Sequence, residues 1–150
     1  SMLAHANVLI PRLFSNNVIM FADIQNGLLI LNVRWYSEAD DCYCHHLVDI
    51  AKSGRVALYG LNYKDERIAA NQWLKDYEDP YVFSIFDESG RLGVDLGVTA
   101  APETFVIDDK GIIRMKYVGP IDGRIWQDNF LPIIKKIENE YQANQKEGEE

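Results

Sequence analysis

The chain has 150 residues, 47% of them hydrophobic, which predicts one globular domain with a single full-sized core. Fifteen basic and 23 acidic residues give a net charge of −8, which argues against nucleic acid or an anionic membrane surface as a partner. Two cysteines are too few for a disulfide framework, and no apolar run reaches the roughly 18 residues of a membrane span.

The N-terminal part of the chain predicts three strands. Residues 6–21 contain two β-branched or aromatic runs separated by Ser15-Asn16-Asn17, which indicates a strand, a turn and a second strand. Pro11 makes the first of them an edge or irregular strand. After Asn26-Gly27, the run from Leu28 to Val33 has no polar alternation, so it predicts a central strand buried on both faces.

The middle of the chain alternates helices with strands. Ser37 followed by Asp40 resembles a capping box, so we expect a helix from about Glu38 to Lys52. Apolar spacing and terminal turn residues indicate four further elements: a strand over 55–63, a helix beginning at Asp65, a strand over 81–86 and a helical turn within 88–97.

A hairpin and a long helix are predicted at the C-terminal end. Thr104–Asp108 and Ile112–Val118 flank the turn-forming residues Asp109-Lys110-Gly111. A final helix is expected from Gly123 to about Gln145, with a kink at Pro132 because proline has no N–H to donate.

The order of elements is β-β, then β-α-β-α-β, then a β-hairpin and a helix, which is typical of an α/β fold with a mixed central sheet flanked by helices. A β-α-β half joined to a β-β-α half is the thioredoxin architecture, here with an N-terminal β extension and a helical insertion. We therefore predict residues 1–27 as a β extension of the same domain, 28–145 as the thioredoxin-like domain and 146–150 as a disordered acidic tail.

Groups able to support chemistry are concentrated directly after the first main strand. Trp35 ends the apolar run, and a polar turn follows it. The next residues include three carboxylates, both cysteines and two of the three histidines: Glu38, Asp40, Asp41, Cys42, Cys44, His45 and His46.

Three blocks of sequence resemble one known family, and they occur in that family's order. They are Ile30-Leu31-Asn32-Val33, Gly60–Arg67 with Trp73–Asp76, and Asp95–Arg114. From Leu28 to about Tyr141 the chain resembles the CcmG/DsbE family, the periplasmic thioredoxin-like proteins of cytochrome c maturation. The resemblance covers about three quarters of the chain.

The resemblance implies a periplasm-facing thiol:disulfide interchange protein, membrane-anchored by sequence upstream of the chain. The family keeps the haem-attachment cysteines of apocytochrome c reduced. The expected partner is therefore a protein or extended peptide with thiols, such as apocytochrome c or a maturation component. No cofactor, metal or nucleic acid is expected.

The family's Cys-Xaa-Xaa-Cys motif is missing from the expected position. In a gapless alignment its two cysteines fall on Glu38 and Asp41. If the chain is slipped by one so that Trp35 takes the family's tryptophan, Cys42 falls on the resolving cysteine and Ala39 on the nucleophile. The nucleophile is absent in either alignment, so we expect no ordinary dithiol reductase activity.

Two alternatives involve the neighbouring cysteines as catalytic or ligand residues. Cys42, with or without Cys44, would be an unconventional redox centre, although helix positions two apart point roughly 200° from each other. Cys42, Cys44, His45 and His46 would instead bind a metal, although a structural zinc site needs a second ligand pair. Inert thiols on a packed or solvated helix face are the simpler interpretation, and the nearby carboxylates then interact with the helix dipole.

Four residues are predicted to bind substrate. Ala101-Pro102 matches the family's cis-proline loop, Glu103 follows it, and Trp35 precedes the motif position. The family's loop offers backbone groups to an extended substrate. A cis-proline that only holds the hairpin is the alternative, and the sequence leaves both Trp35 and Trp126 open between core and groove.

Overall fold

The computed structural model describes residues 2–4, 8–9, 26–35, 41–64, 66–76, 79–82 and 84–148. Within these ranges, seven strands form one mixed sheet: β1 (Met2–Ala4), β2 (Val8–Leu9), β3 (Leu28–Arg34), β4 (Ala57–Tyr63), β5 (Ser84–Asp87), β6 (Glu103–Asp108) and β7 (Ile112–Val118). Their spatial order is β1-β7-β6-β3-β4-β5, and β2 also pairs with β7.

The helices are α1 (Asp41–Lys52), α2 (Arg67–Asp76), α3 (Arg91–Leu96), α4 (Gly123–Ile125) and α5 (Leu131–Gly148). A π-helical segment, Trp126–Phe130, joins α4 to α5. No helix within the described ranges combines the length and the apolar character that crossing a membrane requires.

β3 is the central strand, as its apolar run predicts. It pairs in parallel with β4 and antiparallel with β6, and all seven of its residues are buried. Leu28 and Ile30 pack with α1, Trp73 and the C-terminal helix, whereas Leu29 and Leu31 face the residues around α3. Because side chains alternate along a strand, both faces of the sheet are covered and the fold has three layers.

The N-terminal strands lie at the outer edge of the sheet, where both pair antiparallel with β7. The predicted first run over residues 6–21 contains β2, but β1 has no counterpart in the prediction. The second run falls outside the described residues, as do the predicted helix starts at Glu38 and Asp65.

The predicted hairpin is confirmed, and its turn is fixed by one side chain. Asp108 Oδ1 accepts hydrogen bonds from the N–H groups of Lys110 at 2.9 Å and Ile112 at 3.0 Å. Gly111 occupies the left-handed region with φ 81°, which explains glycine at this point of the turn.

The C-terminal helix departs from regular geometry directly before Pro132, where the sequence predicts a kink. Leu131 N–H donates to the Trp126 carbonyl, five residues back, so the irregularity takes the form of a π-helical turn. The helix continues to Gly148, beyond the predicted end at about Gln145. The predicted strand over 81–86 is also shorter, because β5 begins at Ser84.

Candidate functional site

The predicted substrate-binding residues meet at the carboxyl end of β3. The β3–β6 register ends at the pair Val33 and Glu103, so Trp35 follows on one strand where Ala101 and Pro102 precede the other. The Ala101-Pro102 peptide bond is cis, as the family resemblance implies. Trp35 is 40% exposed, which makes it a surface residue beside this loop.

Glu103 holds the cis-proline loop from inside the protein. Its Oε1 accepts hydrogen bonds from Thr99 N–H at 3.0 Å, Thr99 Oγ1 at 2.7 Å and Ala100 N–H at 3.1 Å. Lys116 Nζ lies 3.7 Å from the same oxygen, and the side chain of Glu103 is fully buried. In this structure Glu103 therefore positions the loop, and direct contact with a substrate stays a prediction.

A second contact ties the loop to the chain segment that leads into the C-terminal helix. Gly119 N–H donates to the Pro102 carbonyl at 2.9 Å. Gly119 has φ 119°, a conformation that residues with a Cβ rarely adopt, so glycine is required for this approach. The loop is consequently bonded on both sides.

A buried polar network lies behind the site. Tyr81 Oη donates to Asn32 Oδ1 at 2.7 Å, and Asn32 Nδ2 donates to Thr104 Oγ1 at 3.0 Å. All three residues are buried, and they connect β3, β6 and the segment before β5. Satisfied buried networks of this kind fix one geometry, so the strand ends under the loop are held rigidly.

Trp73, in the resembling block, belongs to the core, where it is 5% exposed. The guanidinium carbon of Arg34 lies 5.1 Å from the centroid of the Trp73 ring. This cation–π contact places a buried positive charge at the carboxyl end of β3. The sequence gives no signal for it, because an arginine that ends an apolar run usually reaches solvent.

The backbones of Cys42 and Cys44 lie in α1, whose described part begins at Asp41. Residues 36–40 and the side chains of residues 41–44 fall outside the described structure, and with them the predicted roles of Glu38 and of both cysteines. His45 is exposed and His46 is half-buried.

The metal-binding alternative remains a prediction for the same reason. Among the side chains that the structure does describe, no group of three or more histidine, cysteine, aspartate or glutamate residues is arranged to hold a metal ion.

The structure also shows a cavity that the sequence does not predict. It has a volume of about 190 Å³ and lies between α1 and the first turns of the C-terminal helix. Its lining residues are His46, Asp49, Ile50, Ser53, Asp122, Gly123 and Trp126. The spacing of 46, 49, 50 and 53 marks one face of α1, but only the tertiary structure shows what that face meets.

A second cavity of about 260 Å³ lies at the opposite end of the sheet. There Arg114 donates two hydrogen bonds to Glu140, at 2.7 and 3.0 Å, and a weaker one to Asp108 at 3.4 Å. The hydrogen bond from Arg114 lowers the pKa of Glu140, and the same bond raises the pKa of Arg114. Burial, and then the charge of Asp108, raise the pKa of Asp109.

Comparison with solved structures identifies the class of protein. A secreted thiol-disulfide isomerase from Corynebacterium glutamicum superposes with a TM-score of 0.61 at 22% identity, covering 78% of this chain and 76% of that one. DsbE from Chlorobium tepidum, described as a putative thiol:disulfide interchange protein, gives 0.60 at 19% identity over 80% and 86%. The profile of the Redoxin family matches residues 36–129. The fold is that of the thioredoxin-like proteins, as the sequence predicts.

Curated relatives narrow the class further. Thiol:disulfide interchange protein DsbE of Vibrio cholerae is 49% identical over 73% of this chain and 59% of its own length. The DsbE protein of Pseudomonas fluorescens is 43% identical over 87% of this chain and 74% of its own length. The chain belongs to the DsbE family, which confirms the resemblance. It spans less than two thirds of the Vibrio cholerae relative, so the activity and partners of the whole protein are matters for proposal.

Proposed function

We propose that this protein binds an extended, thiol-bearing polypeptide and lacks ordinary dithiol reductase activity. The observation that carries the proposal is Glu38-Ala39-Asp40-Asp41, the sequence at the family's Cys-Xaa-Xaa-Cys position. A reductase of this kind needs one thiolate that attacks a disulfide and a second thiol that resolves the mixed disulfide. Carboxylates supply neither sulfur.

The retained loop supports the binding part of the proposal. The cis Ala101-Pro102 bond is held by Glu103 from within and by Gly119 from the side, and Trp35 is exposed beside it. A rigid loop of this kind binds an extended peptide at little conformational cost. Loss of the thiols therefore leaves the docking surface intact.

The family resemblance supplies the partner class and the location. We infer an apocytochrome c or another component of cytochrome c maturation as the partner, and the periplasm as the place of action. Anchoring to the inner membrane is part of the same proposal.

A thiol:disulfide oxidoreductase that uses Cys42 is the second candidate, and it is favoured by the name that the curated relatives share. In that reaction the Cys42 thiolate attacks one sulfur of a substrate disulfide, forming a mixed disulfide and releasing the other sulfur as a thiolate. Cys44 or an external thiol then resolves it. Because positions two apart on a regular helix are separated by roughly 200°, we propose an external thiol as the resolving group in this second candidate.

Reduction of insulin by dithiothreitol separates the two candidates. We expect the wild type and Cys42→Ser to give the same rate as dithiothreitol alone. The double variant Glu38→Cys/Asp41→Cys is expected to exceed that rate roughly tenfold, because it restores a thiol pair at a helix N-terminus. Cys44→Ser is the matched control for loss of a thiol.

Each outcome decides between the candidates. Wild-type turnover that disappears in Cys42→Ser but persists in Cys44→Ser would establish the redox function and overturn the proposal. Background rates in the wild type together with a gain in the double variant would support it.

Peptide binding tests the docking surface without redox chemistry. A fluorescein-labelled peptide containing Ser-Ala-Ala-Ser-His mimics a haem-attachment segment with serine in place of cysteine. We expect Trp35→Ala to raise its Kd about tenfold in fluorescence anisotropy, because exposed aromatic residues dominate such contacts. Val94→Ala, which changes a 70% exposed residue on α3, should leave the Kd unchanged. Equal effects of the two substitutions would contradict the assignment of the surface.

A further inference from the structure

The cavity between α1 and the start of the C-terminal helix combines two carboxylates with an aromatic wall. Asp49 and Asp122 are exposed, and none of the ion pairs among the described residues involves either of them. Asp122 Oδ1 accepts a hydrogen bond from Ile125 N–H at 2.8 Å as the N-cap of α4. That bond holds the carboxylate in place and leaves its second oxygen for another donor.

The aromatic wall is also held in place. The indole of Trp126 stacks on Phe130 with ring centroids 5.4 Å apart and planes at 21°. Phe130 is fully buried, so the stack fixes the half-buried indole against the core. Ile50, which is 6% exposed, adds an apolar surface within the same lining.

These features select one kind of occupant. An indole face attracts a cation, carboxylates pair with it, and an apolar floor accommodates a methylene stem. A lysine or arginine side chain has all three complementary parts. The volume of about 190 Å³ is below the roughly 300–1,000 Å³ of pockets for drug-sized ligands, and it suits a single side chain.

One wall of the cavity, at Asp122, is close to the cis-proline loop. Gly119 bonds to Pro102, and Asp122 is three residues further along the chain, so its Cα lies within about 11 Å of that of Gly119. An extended peptide covers this distance in three or four residues. The net charge of −8 also favours a basic partner.

We propose that this cavity is a subsite for a lysine or arginine side chain of the bound polypeptide. That side chain lies three or four residues along the polypeptide from the residue that contacts Pro102. The proposal rests on the proposed function and deepens it, because it names a charge requirement for the partner. Through this subsite the protein binds basic polypeptide segments more tightly than neutral segments that make the same contacts with the cis-proline loop.

The test compares two labelled peptides that share the Ser-Ala-Ala-Ser-His core. One has lysine at each of the first four positions on both sides of the core, which places a lysine three or four residues from whichever core residue lies at Pro102, and the other has norleucine at those positions. We expect the lysine peptide to bind the wild type about tenfold more tightly in fluorescence anisotropy at low salt. In Asp49→Asn/Asp122→Asn the two peptides should bind equally, with the affinity for the norleucine peptide unchanged.

Two features make these variants informative. Asparagine is as good an N-cap as aspartate, so Asp122→Asn removes a charge and retains the cap of α4. Glu88→Gln/Glu147→Gln removes the same number of charges from exposed positions outside the lining and should keep the tenfold preference. Loss of the preference in this control would mean that net charge alone attracts lysine, and would overturn the subsite.

The remaining outcomes separate the two proposals. Equal binding of both peptides to the wild type would overturn the subsite and leave the docking function standing. If neither peptide binds, the docking function fails, and a titration with n-butylguanidinium followed by NMR decides the subsite. A shift of the Trp126 indole N–H signal that Asp49→Asn/Asp122→Asn abolishes would support it, and its absence would overturn it.

Discussion

The two ends of the sheet differ in how their carboxylates are used. At the amino end of β3, Arg114 joins Asp108 of the hairpin to Glu140 of α5, so charges link the sheet to the helix that covers it. At the carboxyl end, the buried carboxylate of Glu103 accepts hydrogen bonds from the cis-proline loop. Asp49 and Asp122, in the cavity between α1 and the C-terminal helix, make no ion pair with a described residue.

This difference separates a structural end of the sheet from the end where we propose that a peptide binds. Ion pairs between elements raise the stability of the fold, but charges that are paired within the protein are not available to pair with a partner. Surface carboxylates without cations contribute little to stability and remain available for binding. Under the proposed function, the end of the sheet that carries the cis-proline loop serves as a binding surface without a thiol pair.

The largest expected effect comes from Glu103→Ala. It removes a buried charged acceptor of three hydrogen bonds, so we expect the free energy of unfolding to fall by about 3 kcal/mol in urea denaturation. The peptide affinity should fall with it, because the loop loses its internal support.

Glu103→Gln is the matched control for this substitution. Glutamine keeps one oxygen acceptor, and its amide nitrogen replaces Oε2, a buried atom without a hydrogen-bond partner among the described residues. It should therefore cost less than half as much as alanine. Equal losses for alanine and glutamine would show that the charge beside Lys116, and not the hydrogen bonds, supports the loop.

Arg114→Ala tests the structural end. It removes a bidentate pair with Glu140 and the contact with Asp108, and we expect a loss of about 1–2 kcal/mol in the free energy of unfolding. Arg55→Ala breaks a single-oxygen pair with Glu138 on the same helix and should cost about 0.5 kcal/mol. Peptide affinity should be unchanged in both variants. A change in the peptide affinity of Arg114→Ala would mean that the two ends of the sheet are energetically coupled.

The pH dependence of this contact has a definite sign. The pKa of Glu140 is lowered in the folded state by its hydrogen bond with Arg114. Its stabilising contribution is therefore fully present above the unfolded pKa of about 4.3, and it is lost as the pH falls through the folded pKa. The stability difference between the wild type and Arg114→Ala should shrink below about pH 4, and a constant difference would contradict the assignment.

The smallest effect is expected from Asp109→Asn, and it has the opposite sign. Burial and the charge of Asp108 raise the pKa of Asp109. The ionised carboxylate therefore destabilises the folded state once the pH exceeds the ordinary pKa of an aspartate. The substitution should raise the free energy of unfolding by less than about 1 kcal/mol at pH 7, and by a smaller amount near pH 4. Lys110→Gln, in the same turn, should give no such gain.

Several elements were predictable because their signals are local. The apolar run of β3 and the turn residues of the hairpin are each contained in a few consecutive residues. The missing nucleophile is a prediction from alignment of the stretch after β3, and it stays a prediction. Boundaries were less accurate, and β5 begins later than its apolar residues suggest because Tyr81 and Val82 precede the regular pairing with β4.

The sequence alone determined the fold class, the family and the absence of Cys-Xaa-Xaa-Cys from its expected place, because each depends on residue order. Only the tertiary structure decided that Glu103 is buried under the loop, that Arg34 makes a cation–π contact with Trp73, and that Trp126 faces α1 across a cavity. The partners in these contacts lie far apart in the chain. Their meeting depends on how the helices pack across the sheet, which no local pattern encodes.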